Sequence, residues 1–474
     1  MKVFLSAIFL FLLTVPLRAG SGEEDLEAYR AAMRVLAEES RAEGMELEAK
    51  VTESRIREDP EFGFFIPRLP RRPQISLPDD ARPSQRAWFG KMRTIEEDYA
   101  GRFLSRARAE AEAGHGREGW RLARAAFFID PENAELRGIF GYRLSDGEWL
   151  RPWEIARRNK GYINDPEYGW ITPKEKDRLD AGTEPKSSAK SARISVETEH
   201  FDLKTTVPRQ TAVRLANRLE EFYRVWELLF YPMTVSEKEA AALVLGKGSG
   251  SARRHKVVLF RDRQEYLREI LRLDPGGEIS SGGYFPDKKT VYLYLPDPDN
   301  DEETPLEVMA VHETAHQLFA ETGFIHGAAE RRRADPGRDS QFWLTEGIAC
   351  YLETFEETPG GWSVGGLKSY RFVRAKERAD EPGGLLSIEE IAKMGKEVFQ
   401  RASNPAALYT ESAGLTSFLL HGKGGEYRAP FLEALQTLYR GGESPELLEE
   451  VTGVPYRQLD EEFRAYLHAT PFTE

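Results

Sequence analysis

His312-Glu313-Thr314-Ala315-His316 sits inside an apolar run, with Leu306, Val308, Met309 and Val311 before it and Leu318 and Phe319 after it. Two imidazoles four residues apart share one helical face, so both can reach a single tetrahedral cation, while Glu313, one step round, can reach a water held there. Thr304, Pro305 and Glu307 carry a helix-start pattern: a hydroxyl cap, proline at the first helical position and Glu three residues after the cap. Thr322-Gly323 marks the stop. On a helix over residues 305–321, Met309, His312, His316 and Phe319 form one stripe, and Val308, Val311, Ala315 and Leu318 an adjoining one, so the helix is buried on most sides. Imidazoles in such a place need partners. One shared ion satisfies both; a pair of core histidines bonded to backbone carbonyls is the alternative.

A hydrolytic zinc site takes three protein ligands and keeps a fourth position open, so a third donor is expected from another element. Trp343-Leu344-Thr345-Glu346-Gly347-Ile348-Ala349-Cys350-Tyr351-Leu352-Glu353 offers one. As a helix it puts Glu346 on a face with Phe342, Trp343, Ala349 and Cys350, where a carboxylate is costly to bury without a cation. Glu346 is therefore the expected oxygen ligand of one Zn2+ per chain, with His312 and His316. Glu353, two turns on, is expected to orient a ligand imidazole. Its alternative reading is an ordinary surface Glu near a helix end.

Taken together, HExxH and WLxEGxAxYxE resemble the motifs of gluzincin metallopeptidases, the thermolysin-like clan. The second motif is most similar to that of membrane alanyl aminopeptidases. The chain as a whole is similar to exported bacterial zincin-like domains in which a Gly-Gly-Tyr segment, here Gly282-Gly283-Tyr284-Phe285, precedes the first motif. The resemblance covers roughly residues 197–467. It implies an α+β fold: a gluzincin-like catalytic domain with a small mixed sheet and an edge strand, the HExxH helix and a helical C-terminal half, preceded by a helical N-terminal region. It also implies peptide or protein substrates, Glu313 as the base that takes a proton from the attacking water, and a tyrosine that steadies the oxyanion. Tyr409, opening an apolar helix through Leu415, Phe418 and Leu419, occupies the place of that tyrosine, although Glu411 and Ser412 stand where the family has Lys and Gly. Packing with a wet tip is the other reading of Tyr409.

Two departures matter. The aminopeptidases carry an acidic strand residue that grips the free amine of the substrate, whereas the strand expected over residues 290–295 has no Glu. Endopeptidase action on an extended peptide is therefore expected, with this strand as the edge that pairs with it. Residues 317–345 make a long interval containing Arg331, Arg332 and Arg333; it reads either as a solvated insertion or as an overhang favouring acidic substrate groups.

Residues 1–19 have one Lys, an apolar run and a small residue at Ala19, the anatomy of a secretory signal. The run is too short to span a bilayer, so the mature chain is expected to be exported, without an integral membrane segment. The single Cys, Cys350, excludes internal disulfides and Cys-rich zinc sites. A net charge of −13 argues against nucleic acid as a partner. After the signal the chain divides into a charged helical segment (20–66), a Pro/Arg-rich linker or strap (67–83), and a helical region (84–183). That region holds a tetratricopeptide-like hairpin and a duplicated Trp-x-x-Pro-x-Glu pattern at Trp149 and Trp170, read as packing in preference to peptide or glycan contact. A second linker (184–191) leads to the zincin-like domain (192–474). The competing function is an exported, non-catalytic metal-binding scaffold or binding protein built on the same fold.

Overall fold

The computed structural model describes residues 22–56, 63–73, 77–182, 194–247, 254–273, 282–300, 303–322, 335–366 and 369–470. The expected signal at 1–19, the linker at 184–191 and the arginines at 331–333 lie outside them. The architecture is mixed α and β, with many helices around small sheets. A five-stranded sheet runs Ile194–Glu197, Phe201–Thr205, His255–Phe260, Thr290–Tyr294, Gly283–Phe285 in spatial order. Its three central strands are parallel to one another, and both outer strands are antiparallel to their neighbours. The expected edge strand over residues 290–295 is thus an inner strand, and the edge is Gly283–Phe285, paired Tyr284 to Val291. Gly282-Gly283 hides a three-residue strand behind a turn-like composition.

The strand expected over residues 193–206 is instead a hairpin. Thr198 holds its turn, exchanging a backbone bond with Phe201 and accepting from the Phe201 N–H through Oγ1. Glu220, on the helix Arg209–Thr234, accepts from the His200 N–H at 3.1 Å and pairs with His200 Nδ1 at 2.6 Å. Burial pushes the Glu220 carboxyl up, but His200 outweighs it and brings it down to about 2.

Three apolar cores result. The sheet with residues such as Phe201, Leu215, Val257 and Val291 makes one core, the C-terminal helices make a larger one, and the N-terminal helices a third. The motif helix Leu306–Glu321 places Leu306, Met309 and Ala310 in the sheet core and Val311, Ala315, Leu318 and Phe319 in the helical core. HExxH therefore lies at the junction of sheet and helices. The helix starts one residue later than its sequence signals predict: Pro305 is the cap residue, and no side chain caps it, so Thr304 does not act as the N-cap.

The N-terminal region is tied into the rest of the molecule. Gly63–Pro67 adds an antiparallel strand to Gly361–Gly365, which pairs in turn with Glu356–Thr358. Arg124 donates to the Leu228 carbonyl at 2.5 Å, and Arg117 to the Val235 carbonyl. The Pro/Arg strap is docked, its Pro70 and Arg71 carbonyls accepting from Arg137 and from the Trp149 N–H. Each Trp-x-x-Pro-x-Glu repeat is a two-stranded hairpin leading into a short helix. Pro152 and Pro173 open these helices, and Glu154 and Glu175 accept from the backbone N–H of Arg151 and Thr172. The pattern is thus a helix-start device, with Trp149 buried and Trp170 edge-on to Trp153 at 5.5 Å.

The helix carrying Tyr409 is Pro405–His421, capped by Asn404, so Tyr409 lies in its second turn and does not open it. Glu411, two residues on, turns away into the core. It is 2 % exposed and accepts from the Leu386 N–H at 3.2 Å. Burial pushes its carboxyl up to about 8. Between the ordinary carboxylate range and pH 8 the folded chain therefore holds a proton that the unfolded chain has lost, and stability falls as pH rises across that window. Glu411→Gln keeps the acceptor for Leu386. Thermal unfolding at pH 9 should show the variant melting roughly 2–4 °C above wild type, with the gap closing by pH 5; equal curves at pH 9 would contradict the burial argument.

Candidate metal centre

The helix Phe342–Leu352 packs against the motif helix and is buried at every position, a continuous apolar rod with Glu346 inside it. Its approach to the helix Pro405–His421 depends on Gly347. A Cβ there would stand 2.4 Å from Thr416 Oγ1 and 2.7 Å from the Ser412 carbonyl oxygen. That close packing fixes the height of Glu346 opposite the two histidines.

His312 Nε2 and His316 Nε2 are 3.1 Å apart, and Glu346 Oε2 is 3.2 Å from the first and 3.5 Å from the second. The ring planes are crossed at 77°. Ligands at 2.0–2.1 Å around a tetrahedral ion stand about 3.3–3.4 Å from one another, so the three separations fit one such ion. The chemistry of the donors fits as well. Glu353 Oε1 lies 2.7 Å from His312 Nδ1, so that nitrogen donates and the Nε2 lone pair is turned to the centre. Glu346 Oε2 is buried and has no hydrogen-bond donor among the described residues. Two ring nitrogens and one carboxylate oxygen thus converge in a buried place where a cation would offset the cost of burying the carboxylate. Burial favours a protonated Glu346, yet the His316 and His312 imidazoles outweigh it and hold the carboxyl far below the usual range. Burial likewise opposes charge on His312, but Cys350, Glu346 and Glu353 raise its pKa well above the ordinary value. The imidazole side chains keep 14 % and 18 % exposure against 7 % for Glu346, which leaves the cluster open on the histidine side.

Glu313, between the two histidines on the motif helix, is tied to the sheet. Its Oε2 accepts from the Tyr284 N–H of the edge strand at 2.8 Å. Gly282 allows the strand to come this close, since a Cβ there would be 2.9 Å from Met309 Cγ and Sδ. At the end of the motif helix, Glu321 accepts from Tyr284 Oη and Gln317 and pairs with His255 Nδ1 at 3.2 Å, anchoring strand and helix together.

Tyr409 is held by Phe399 edge-on at 5.3 Å and lies under the Arg371 guanidinium at 5.8 Å. Burial, then the negative charge of Glu346, keeps its phenol protonated far past neutrality, and the charges of His312 and Glu313 also reach it. Three neighbours escape a reading by motif. Cys350 approaches His312 on its Nδ1 side with Glu353, a contact that the helical spacing of 346, 350 and 353 hints at. Tyr439, buried and sensitive to Glu346 and His312, and Arg371, bonded to Glu353, come from distant helices with no local signal.

A further cluster, Glu199, His200 and Glu220, is neutralised by arginines: Arg151 Nε lies 3.2 Å from both Glu199 oxygens, and Arg224 faces Glu220 at 3.7 Å. It is an internal ion network.

No family model matches the chain, and no curated protein matches it. Among the described residues, no helix is long and apolar enough to cross a membrane.

Proposed function

We propose that the protein is a zinc metallopeptidase of gluzincin type that hydrolyses extended peptides internally. The observation that carries this reading is the trio of ring nitrogens and carboxylate oxygen at 3.1, 3.2 and 3.5 Å, the oxygen buried and without a donor among the described residues. His312, His316 and Glu346 would hold the ion. Zinc, when bound, polarises the scissile carbonyl and brings the pKa of a coordinated water to about 7.

The remaining chemistry belongs to the chain itself. The Tyr284 N–H restrains one oxygen of Glu313, leaving the other to take the proton of the attacking water and return it to the departing amine nitrogen. Tyr409 stays protonated and donates to the negative charge that develops on the carbonyl oxygen, a contribution typically worth about 3 kcal/mol of barrier. Gly283–Phe285 is the edge of the sheet and runs beside Glu313, where an extended peptide can lie along it by main-chain pairing. The fold supports the resemblance in the same terms: a small mixed sheet with an antiparallel edge strand, the motif helix beneath it and a helical half behind. Export belongs to the same reading and rests on the sequence of residues 1–19.

The expected result of metal analysis is one zinc per chain. Chelation should abolish cleavage of a diverse peptide library, and added zinc should restore it. Full cleavage by metal-free protein would sink the reading; a zinc-loaded chain that cleaves nothing would be the scaffold.

A further inference from the structure

Behind His312 stands a second layer that resemblance does not supply. Arg371 is the second residue of the helix Tyr370–Ala379, whose Phe372 and Ala375 are buried, so its backbone is fixed by packing. Its guanidinium meets Glu353 as a fork: Nε donates to Oε2 at 2.7 Å and the second nitrogen to Oε1 at 3.2 Å. Glu353 Oε1 in turn takes the Nδ1–H of His312 at 2.7 Å. The carboxylate is largely buried, with 11 % side-chain exposure. A Glu carboxylate rotates easily about its last torsion. The planar fork removes that freedom and sets the plane in which the His312 ring must lie. The same guanidinium also lies over the Tyr409 ring at 5.8 Å.

We propose that Arg371 is a positioning residue: by clamping Glu353 it holds His312 Nε2 in a metal-ready orientation, and by covering Tyr409 it fixes that ring relative to the same centre. The inference rests on the metallopeptidase reading only for the identity of the centre as a metal site.

The test uses the full chain with zinc or cobalt(II) as the probe. Arg371→Ala should weaken zinc binding about 10- to 100-fold in competition with a chromophoric chelator. It should also change the shape of the visible spectrum of the cobalt-loaded form, because the His312 ring is no longer held in one plane. Arg371→Lys keeps the charge and loses the fork, so its affinity should fall between Arg371→Ala and wild type. Arg374→Ala removes an exposed ion-pair partner of Glu377 on the same helix and should leave both readouts unchanged. A folded Arg371→Ala with wild-type affinity and spectrum overturns the proposal and leaves the metal site standing. If the alanine variant does not fold, wild-type affinity and spectrum in Arg371→Lys overturn it equally. A wild-type chain that takes up neither zinc nor cobalt removes the metal site itself, and this inference with it.

Discussion

Glu313→Gln is expected to lower kcat by about 10²- to 10⁴-fold, the usual worth of a positioned base, while zinc content stays at the wild-type level. The separation of the two effects is the point. One oxygen of Glu313 is bonded to the Tyr284 N–H, and glutamine can accept that bond through its amide oxygen. Strand, helix and ligands therefore keep their places, and only the ability to carry a proton is lost. Metal analysis and steady-state kinetics on the same preparation check it. Undiminished turnover in the zinc-loaded variant would remove Glu313 from the mechanism, whereas loss of zinc would mean that the carboxylate helps to hold the ion.

Gly347→Ala should destabilise the fold by about 1–3 kcal/mol and weaken zinc binding with it. By intrinsic helix preference alone the change should help by about 1 kcal/mol, so the sign is a contest between propensity and packing. Packing wins because one of the two clashing atoms is backbone. The Ser412 carbonyl oxygen at 2.7 Å cannot rotate away, although Thr416 Oγ1 at 2.4 Å can. Relief requires the two helices to move apart, and Glu346 is the adjacent residue. Adding Thr416→Ala should recover only part of the lost stability, since the Ser412 contact persists. Denaturant unfolding of the single and double variants, with zinc affinity measured alongside, decides the matter. A single variant as stable as wild type would show that the helix contact is looser than drawn.

The convergence of His312, His316 and Glu346 is legible in the sequence because its logic is local. An i, i+4 pair of imidazoles on an apolar helix, and a carboxylate within an apolar run, both follow from helical periodicity. Glu353 is legible for the same reason, two turns beyond Glu346 on one helix. Where residues distant in the chain decide, the reading was wrong or silent. The hairpin at 194–205 looked like one strand because its turn has no Gly or Pro and is held by Glu220 from another element. The edge strand was misplaced because Gly282-Gly283 has the composition of a loop, and the order of parallel strands depends on crossovers that alternation does not encode. Tyr409 lies in the second turn because Asn404 and Pro405, a good cap and first residue, begin its helix earlier.

What depends on periodicity within each helix is written in the order of residues: His312 and His316 on one face, Glu313 between them and Glu346 inside a buried helix. Which residues stand behind them is not, because Arg371 and the Tyr284 N–H reach Glu353 and Glu313 from separate elements. Helix packing, edge-strand position and the turn of each helix, all set by long-range burial, bring them there.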